Sequence, residues 1–271
     1  MVNALRRHRL SAPRDIWLYA SDVVRSFPWR KALSSASCAA ALLTPTAPSA
    51  GAHCAWLVPT PYEIMAADKL ERLRRSASPT PEMQARISFA ERTPVVFLRA
   101  GWARPRRGVF DLGARPQHAR WLNVSAVRHA RMPEAEFARY RYLLDVGGVS
   151  GTTWSALRMK LLTGSLVFKV ELPWADWWHH TLRPWRDYVP VREDLADLRD
   201  HFVWAQAHPA EAQRIAESGA RTAARTSTVA AVRAGVVDAL RQVERHAVRD
   251  QALQEWSFEP FDGCRRAPLG T

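Results

Sequence analysis

The run Gly147-Gly148-Val149-Ser150-Gly151-Thr152-Thr153-Trp154-Ser155 has the chemistry of an anion cradle. Glycines let a backbone approach a ligand closely and hydroxyls donate hydrogen bonds. The helical pattern that follows offers its first N–H groups and the positive end of its dipole to the same point. Val149, Ser150, Thr153, Trp154 and Ser155 are the candidate contacts within it. Arg158, about one turn into the helix, can add a planar fork of donors to the same phosphate. Glu171, at the end of an apolar run, is a candidate acceptor for ribose or sugar hydroxyls. Together these residues suit the phosphate and sugar of a nucleotide.

Such residues need a scaffold. Three short apolar runs, Tyr142–Val146, Ser165–Val170 and Tyr188–Val191, read as strands. They alternate with the helical patterns Trp154–Thr163, Trp174–Leu182 and Asp194–Ala207. Alternation of this kind indicates βαβ units, and hence an α/β fold with a Rossmann-like parallel sheet and flanking helices. Ligands then sit beyond the carboxyl ends of the strands, where the glycine turn and Glu171 fall. Val95–Leu98 predicts a further buried strand, with Arg99 and the loop Arg104–Arg107 at its carboxyl end. Asp194 is a natural N-cap for the helix that follows it. Leu57–Arg75 returns to globular composition, within which Pro61–Arg75 predicts an amphipathic helix with Ile64, Met65, Leu70 and Leu73 inward, and Thr226–Trp256 predicts a long C-terminal one. Trp174, Trp177, Trp178 and Trp185 are expected mainly in the core, the sharper alternative being a sugar or base platform. His179 and His180 are adjacent, point to different faces and have no carboxylate at an obvious spacing; they read as structural or surface.

Composition excludes several function classes. The chain has 271 residues, 47% of them hydrophobic, and a formal charge of +13. Of its 39 basic residues 35 are Arg, spread without a Lys/Arg block, and no zinc-finger, helix-turn-helix or RNA-binding motif accompanies them. The charge reads as solvated surface with a few arginines on phosphates, and no nucleic-acid partner is expected. Cys38, Cys54 and Cys264 have no metal-ligand spacing. Asn123-Val124-Ser125 is a glycosylation sequon. No apolar run approaches the roughly 20 residues of a spanning helix, so no transmembrane helix is expected. Residues 1–55, rich in Ala, Ser, Thr and Pro, read as a variable or disordered extension, residues 56–256 as the globular domain and 257–271 as a tail.

The globular part resembles the protein O-glucosyltransferases and their capsule-associated (CAP-type) relatives. The resemblance runs through Tyr140, Tyr142, Leu143, Gly148, Val149, Arg158 and Gly164–Lys169. It continues through Trp177, Trp178, Leu182, Pro184, Trp185, Tyr188–Val191, Asp194, Leu195 and Leu198. Upstream, Val95–Arg107 is similar to the family's Phe-Arg-Gly-Ser loop, with Arg99 and Arg107 matching its arginines and Gly101 its Ser, and Pro59-Thr60 to its Tyr-Pro-Thr loop.

The resemblance implies the C-terminal lobe of a two-lobed, GT-B-type glycosyltransferase with an incomplete N-terminal lobe. It implies a metal-independent, inverting transfer of glucose or xylose from UDP-glucose or UDP-xylose to a protein or glycan hydroxyl, without a cofactor. It further implies Gly101 and Arg107 as donor contacts beside the glycine turn, and a secretory-pathway location in the ER or Golgi lumen. The family's catalytic Asp, in an Arg-Asp-Tyr-Pro-like context, has no counterpart before Pro59, where Asp15 and Asp22 are the acidic residues. Two readings follow: a transferase that is truncated or diverged, or a catalytically inactive homologue that binds nucleotide sugar.

Overall fold

The computed structural model describes residues 16–18, 41–44, 46–48, 55–59, 88–127, 134–148, 151–152 and 155–247. Its centre is a five-stranded, wholly parallel sheet built from β5 (Thr93–Ala100), β6 (Leu122–Ala126), β7 (Tyr140–Asp145), β8 (Leu166–Val170) and β10 (Val189–Val191). Their spatial order is β10-β8-β7-β5-β6. Central strands with both faces covered must be apolar throughout, and β8 is buried at every position.

Alternate residues serve the two faces. Val96, Leu98, Tyr142, Leu144, Leu166 and Phe168 join one core cluster with Val109, Leu198, Phe202 and Ile215. Phe97, Leu143 and Val167 join the other with Leu157, Leu161, Trp177, Trp178 and Val232. The helices that supply these partners are α1 (Arg107–Gly113), α3 (Ser155–Leu162), α4 (Leu198–Ala207), α5 (Pro209–Thr226) and α6 (Val229–Ala247); a short α2 (Glu134–Phe137) precedes β7. The α/β sheet with flanking helices expected from the sequence is the fold.

Several local expectations change. Trp174–Leu182 is not a helix: it is the strand β9 (Trp174–Asp176), followed by a 3-10 turn at His179–Thr181. β9 pairs antiparallel with β3 (Thr46–Pro48), a partner supplied from more than a hundred residues away. Trp177 and Trp178 are buried in the core as expected, whereas Trp185 is half exposed. The helix expected at Asp194 starts at Leu198. Asp194 instead pairs with Arg192 at 2.6 Å and accepts the Ala196 N–H, closing a turn in which Leu195 has φ 61°.

Residues 1–55, read as an extension, carry β1 (Ile16–Leu18), β2 (Ala41–Thr44) and β3; with β4 (Ala55–Leu57), β1 and β2 form a parallel sheet in the order β1-β2-β4. The helix expected at Pro61–Arg75 and the three cysteines lie outside the described residues.

The Leu182–Tyr188 corner is held by one buried carboxylate. Asp187 Oδ2 accepts from the Arg183 N–H (2.9 Å) and from Arg186 Nε (3.0 Å) and Nη2 (2.6 Å). Its Oδ1 accepts from Ser218 (2.8 Å) and Thr222 (3.1 Å) on α5. Burial raises the Asp187 pKa, but these hydrogen bonds outweigh it and hold the group below the ordinary carboxylate value.

Candidate functional site

Topology locates the site before any side chain does. From β5 the chain passes to β6 on one side and then to β7 on the other, so the order reverses between β5 and β7. In open parallel sheets the two loops that leave such a switch point diverge and leave a crevice between them. Here those loops are the arginine-rich segment after β5 and the glycine turn after β7.

One side chain joins the two loops. Arg106 ends a 3-10 turn (Arg104–Arg106) that leads into α1. Its Nε donates to the Val146 carbonyl at 3.1 Å and its Nη1 to the Gly101 carbonyl at 2.9 Å. Its Nη2 lies 3.4 Å from where a Cβ on Gly148 would stand. Burial pushes the Arg106 pKa down, with the Asp145 charge opposing. Arg107, the sequence candidate, faces the other way: its side chain is 76% exposed and lies 3.6 Å from Asp111 on the same helix. In a 3-10 turn successive side chains are about 120° apart, so only one of two adjacent arginines can enter the crevice. Gly101 is exposed at the rim, and nothing stands within 4 Å of a Cβ added there.

The turn itself is tightly closed. Gly148 N–H donates to Thr152 O (2.8 Å) and Gly151 N–H to Gly148 O (3.1 Å). A Cβ on Gly147 would stand 2.2 Å from Gly151 O, and one on Gly151, which has φ 88°, 2.2 Å from Trp174 Cδ1. Both positions therefore require glycine. The Thr152 hydroxyl is buried in this turn with no hydrogen-bond partner among the described residues. Ser155 begins α3 behind it. Val149, Ser150, Thr153 and Trp154 lie outside the described residues.

Arg158 takes a different place from the one expected. It is fully buried, with its guanidinium carbon 4.5 Å from the Trp178 ring centre and 5.2 Å from that of Trp177. One helical turn from Ser155, it falls on the inward face of α3 with Leu157 and Leu161.

Glu171 is where the sequence put it, just past β8, with 44% of its side chain exposed. Lys169 Nζ holds its Oε2 at 3.0 Å and lies 5.2 Å from the centre of the Tyr188 ring. Burial and the neighbouring Glu171 charge raise the Tyr188 pKa far above its ordinary value, so the phenol stays a donor. The next residue, Leu172, packs against Gly147.

Two pairs of ionisable side chains were not picked out from the sequence. Asp145, the last residue of β7, is held by Lys160 of α3 at 2.7 Å, both buried. His179 Nε2 lies 3.3 Å from buried Asp176 Oδ2, a carboxylate three residues earlier that the sequence reading passed over. Asn123 of the sequon lies in β6 and accepts from Arg99 Nη2 at 3.0 Å, so its side chain belongs to the sheet. Among the described residues no three His, Cys, Asp or Glu side chains gather as a metal-ligand set, and no helix is long and apolar enough to cross a membrane.

A five-stranded parallel sheet with flanking helices and a crevice at its switch point places the protein in the Rossmann-like α/β class. Residues 82–233, more than half of the chain, match Glycosyl transferase family 90, and the chain belongs to that family. It is 39% identical over 90 residues to protein O-glucosyltransferase 3 of Rattus norvegicus, covering 32% of this chain and 17% of that protein. It is 38% identical over 86 residues to protein O-glucosyltransferase 2 of Danio rerio, covering 31% and 16%. Identity to protein O-glucosyltransferase 1 of Homo sapiens is 34% over 88 residues, covering 32% and 21%. The matched segment thus spans about a fifth or less of these relatives' length.

Proposed function

We propose that the crevice between β5 and β7 binds the diphosphate of a UDP-sugar, and that the chain serves transfer of glucose or xylose from it to a protein or glycan hydroxyl with inversion. The observation that carries this is Arg106, tied to the carbonyls of Gly101 and Val146 so that its guanidinium edge lies beside Gly148. Family membership and the O-glucosyltransferase relatives point to the same chemistry.

Inversion is a single displacement. The acceptor oxygen bonds to the anomeric carbon as the bond to the diphosphate oxygen breaks, and the acceptor proton passes to a base. Negative charge grows on the departing diphosphate, where Arg106 and the α3 N-terminus lie, so these groups take the electrostatic role that a metal fills elsewhere. Glu171 suits the ribose or sugar hydroxyls, because Lys169 fixes its orientation. A second reading, donor binding without transfer, is favoured by that same anchoring: the carboxylate beside the turn is already engaged by Lys169.

Calorimetric titration with UDP tests the proposal. Arg106→Gln should weaken UDP by about 1.5–3 kcal/mol, the scale of hydrogen bonds to a charged group, and Arg107→Gln by under about 0.5 kcal/mol, as for an exposed pair. No UDP binding by the unmodified chain, or a larger loss at Arg107, overturns it.

A further inference from the structure

We infer that the buried Asp145–Lys160 pair is a clasp for the phosphate turn, holding its two ends together and drawing Arg106 onto it. The inference rests on the donor reading above and concerns how that site is built.

Asp145 is the last residue before the turn and Lys160 lies on the helix that leaves it, so their 2.7 Å contact closes the whole segment at its base. Arg106, from the third element, bonds to the carbonyl of Val146, the residue next to Asp145. Electrostatics couple all three: Asp145 favours the charged form of both Arg106 and Lys160, while burial and mutual repulsion oppose it. Lys160 is paired with Asp145 and Arg106 is tied to the next residue, so two basic side chains lie beside the glycine turn. The same turn holds the buried Thr152 hydroxyl, which has no hydrogen-bond partner among the described residues. Basic side chains and an unused donor at one closed turn are complementary to a phosphate oxygen.

Stability alone does not explain the pair. Taking both charges out of water offsets much of their attraction, and well-packed uncharged replacements of such pairs are often as stable or more so. What their 2.7 Å contact does fix is the strand end that carries Val146, the acceptor of Arg106. Asp145 and Lys160 are therefore positioning residues.

The test is UDP and uridine titration of the full chain as wild type, as Asp145→Asn/Lys160→Met, as Arg106→Gln and as the triple variant, with thermal melts of each. The double variant should fold with a midpoint at or above wild type yet bind UDP about tenfold more weakly, the lower end of the range for hydrogen bonds to charged groups. Uridine, which lacks phosphates, should bind both equally. Arg106→Gln should cost affinity in the wild type but add little in the double variant, because the pair acts through Arg106. A folded double variant with unchanged UDP affinity, full additivity with Arg106→Gln, or a double variant that does not fold each overturns the inference and leaves the donor reading standing. A wild type that binds no UDP overturns the donor reading, and this inference with it.

Discussion

Substituting alanine at Gly151 and at Gly101 separates the two glycines that the sequence places at the donor site. At Gly151 two costs combine. The residue sits at φ 88°, where an L side chain costs roughly 1–2 kcal/mol. Its new Cβ would also stand 2.2, 2.4 and 2.8 Å from Cδ1, Cγ and Cβ of Trp174. None of those atoms is a flexible tip, and Trp174 is held in β9 by its pairing with β3, so the overlap adds roughly 1–3 kcal/mol of overpacking. The sum is about 2–5 kcal/mol, and at roughly 2–4 °C per kcal/mol for a chain of this size the melting midpoint should fall by about 4–20 °C. UDP affinity should fall as well, since the turn cannot keep both its closure and the β9 contact.

Gly101 is the control: nothing stands within 4 Å of its Cβ position, so Gly101→Ala should change stability by no more than about 0.5 kcal/mol. Thermal denaturation followed by circular dichroism, with UDP titration of each variant, reads both effects. Equal midpoints for Gly151→Ala and Gly101→Ala would refute the account of why the turn is closed.

Further outcomes follow from the same contacts. Asp187→Ala strands the buried Thr222 hydroxyl and the Arg183 N–H, and should cost about 3–5 kcal/mol in urea denaturation; a loss under about 1 kcal/mol would mean that the corner is held by other contacts. Because the folded Asp187 pKa lies below its unfolded value, its contribution is fully present above about pH 4 and is lost as pH falls through the folded pKa. The stability gap between wild type and Asp187→Asn should therefore close in acid, and a gap that widens there contradicts the sign. UDP binding should survive excess EDTA, since arginine and backbone donors fill the electrostatic role; a strict requirement for magnesium or manganese would point to another class of site. Glu171→Gln keeps the shape and loses the charge that Lys169 holds, and should weaken UDP-sugar while leaving inorganic pyrophosphate unchanged; equal losses for both ligands would move Glu171 from the sugar side to the phosphate side.

Local chemistry made much of this protein legible from its residues. Apolar runs bounded by Gly, Pro and Asp mark β7, β8 and β10, and the glycine turn and Glu171 are recognisable because what they need, small size and a place at a strand end, is a property of the chain nearby. The choices that complete the site are not local. Whether Arg106 or Arg107 enters the crevice depends on the phase of a single 3-10 turn, which the composition of the Arg104–Arg107 loop does not encode. Asp145 and Lys160 stand fifteen residues apart and meet only because the crossover from β7 returns α3 over the sheet. Trp174–Leu182 has aromatic spacing that fits a helix, yet β3 supplies a ladder for its first three residues from the far end of the sequence, and Trp174 packs onto Gly151. Arg158 has the charge for a phosphate, but the inward face of α3 carries it into the tryptophans. Residue types set which charged and small groups the chain offers; the sheet order and the rotation of each helix decided which of them line the crevice.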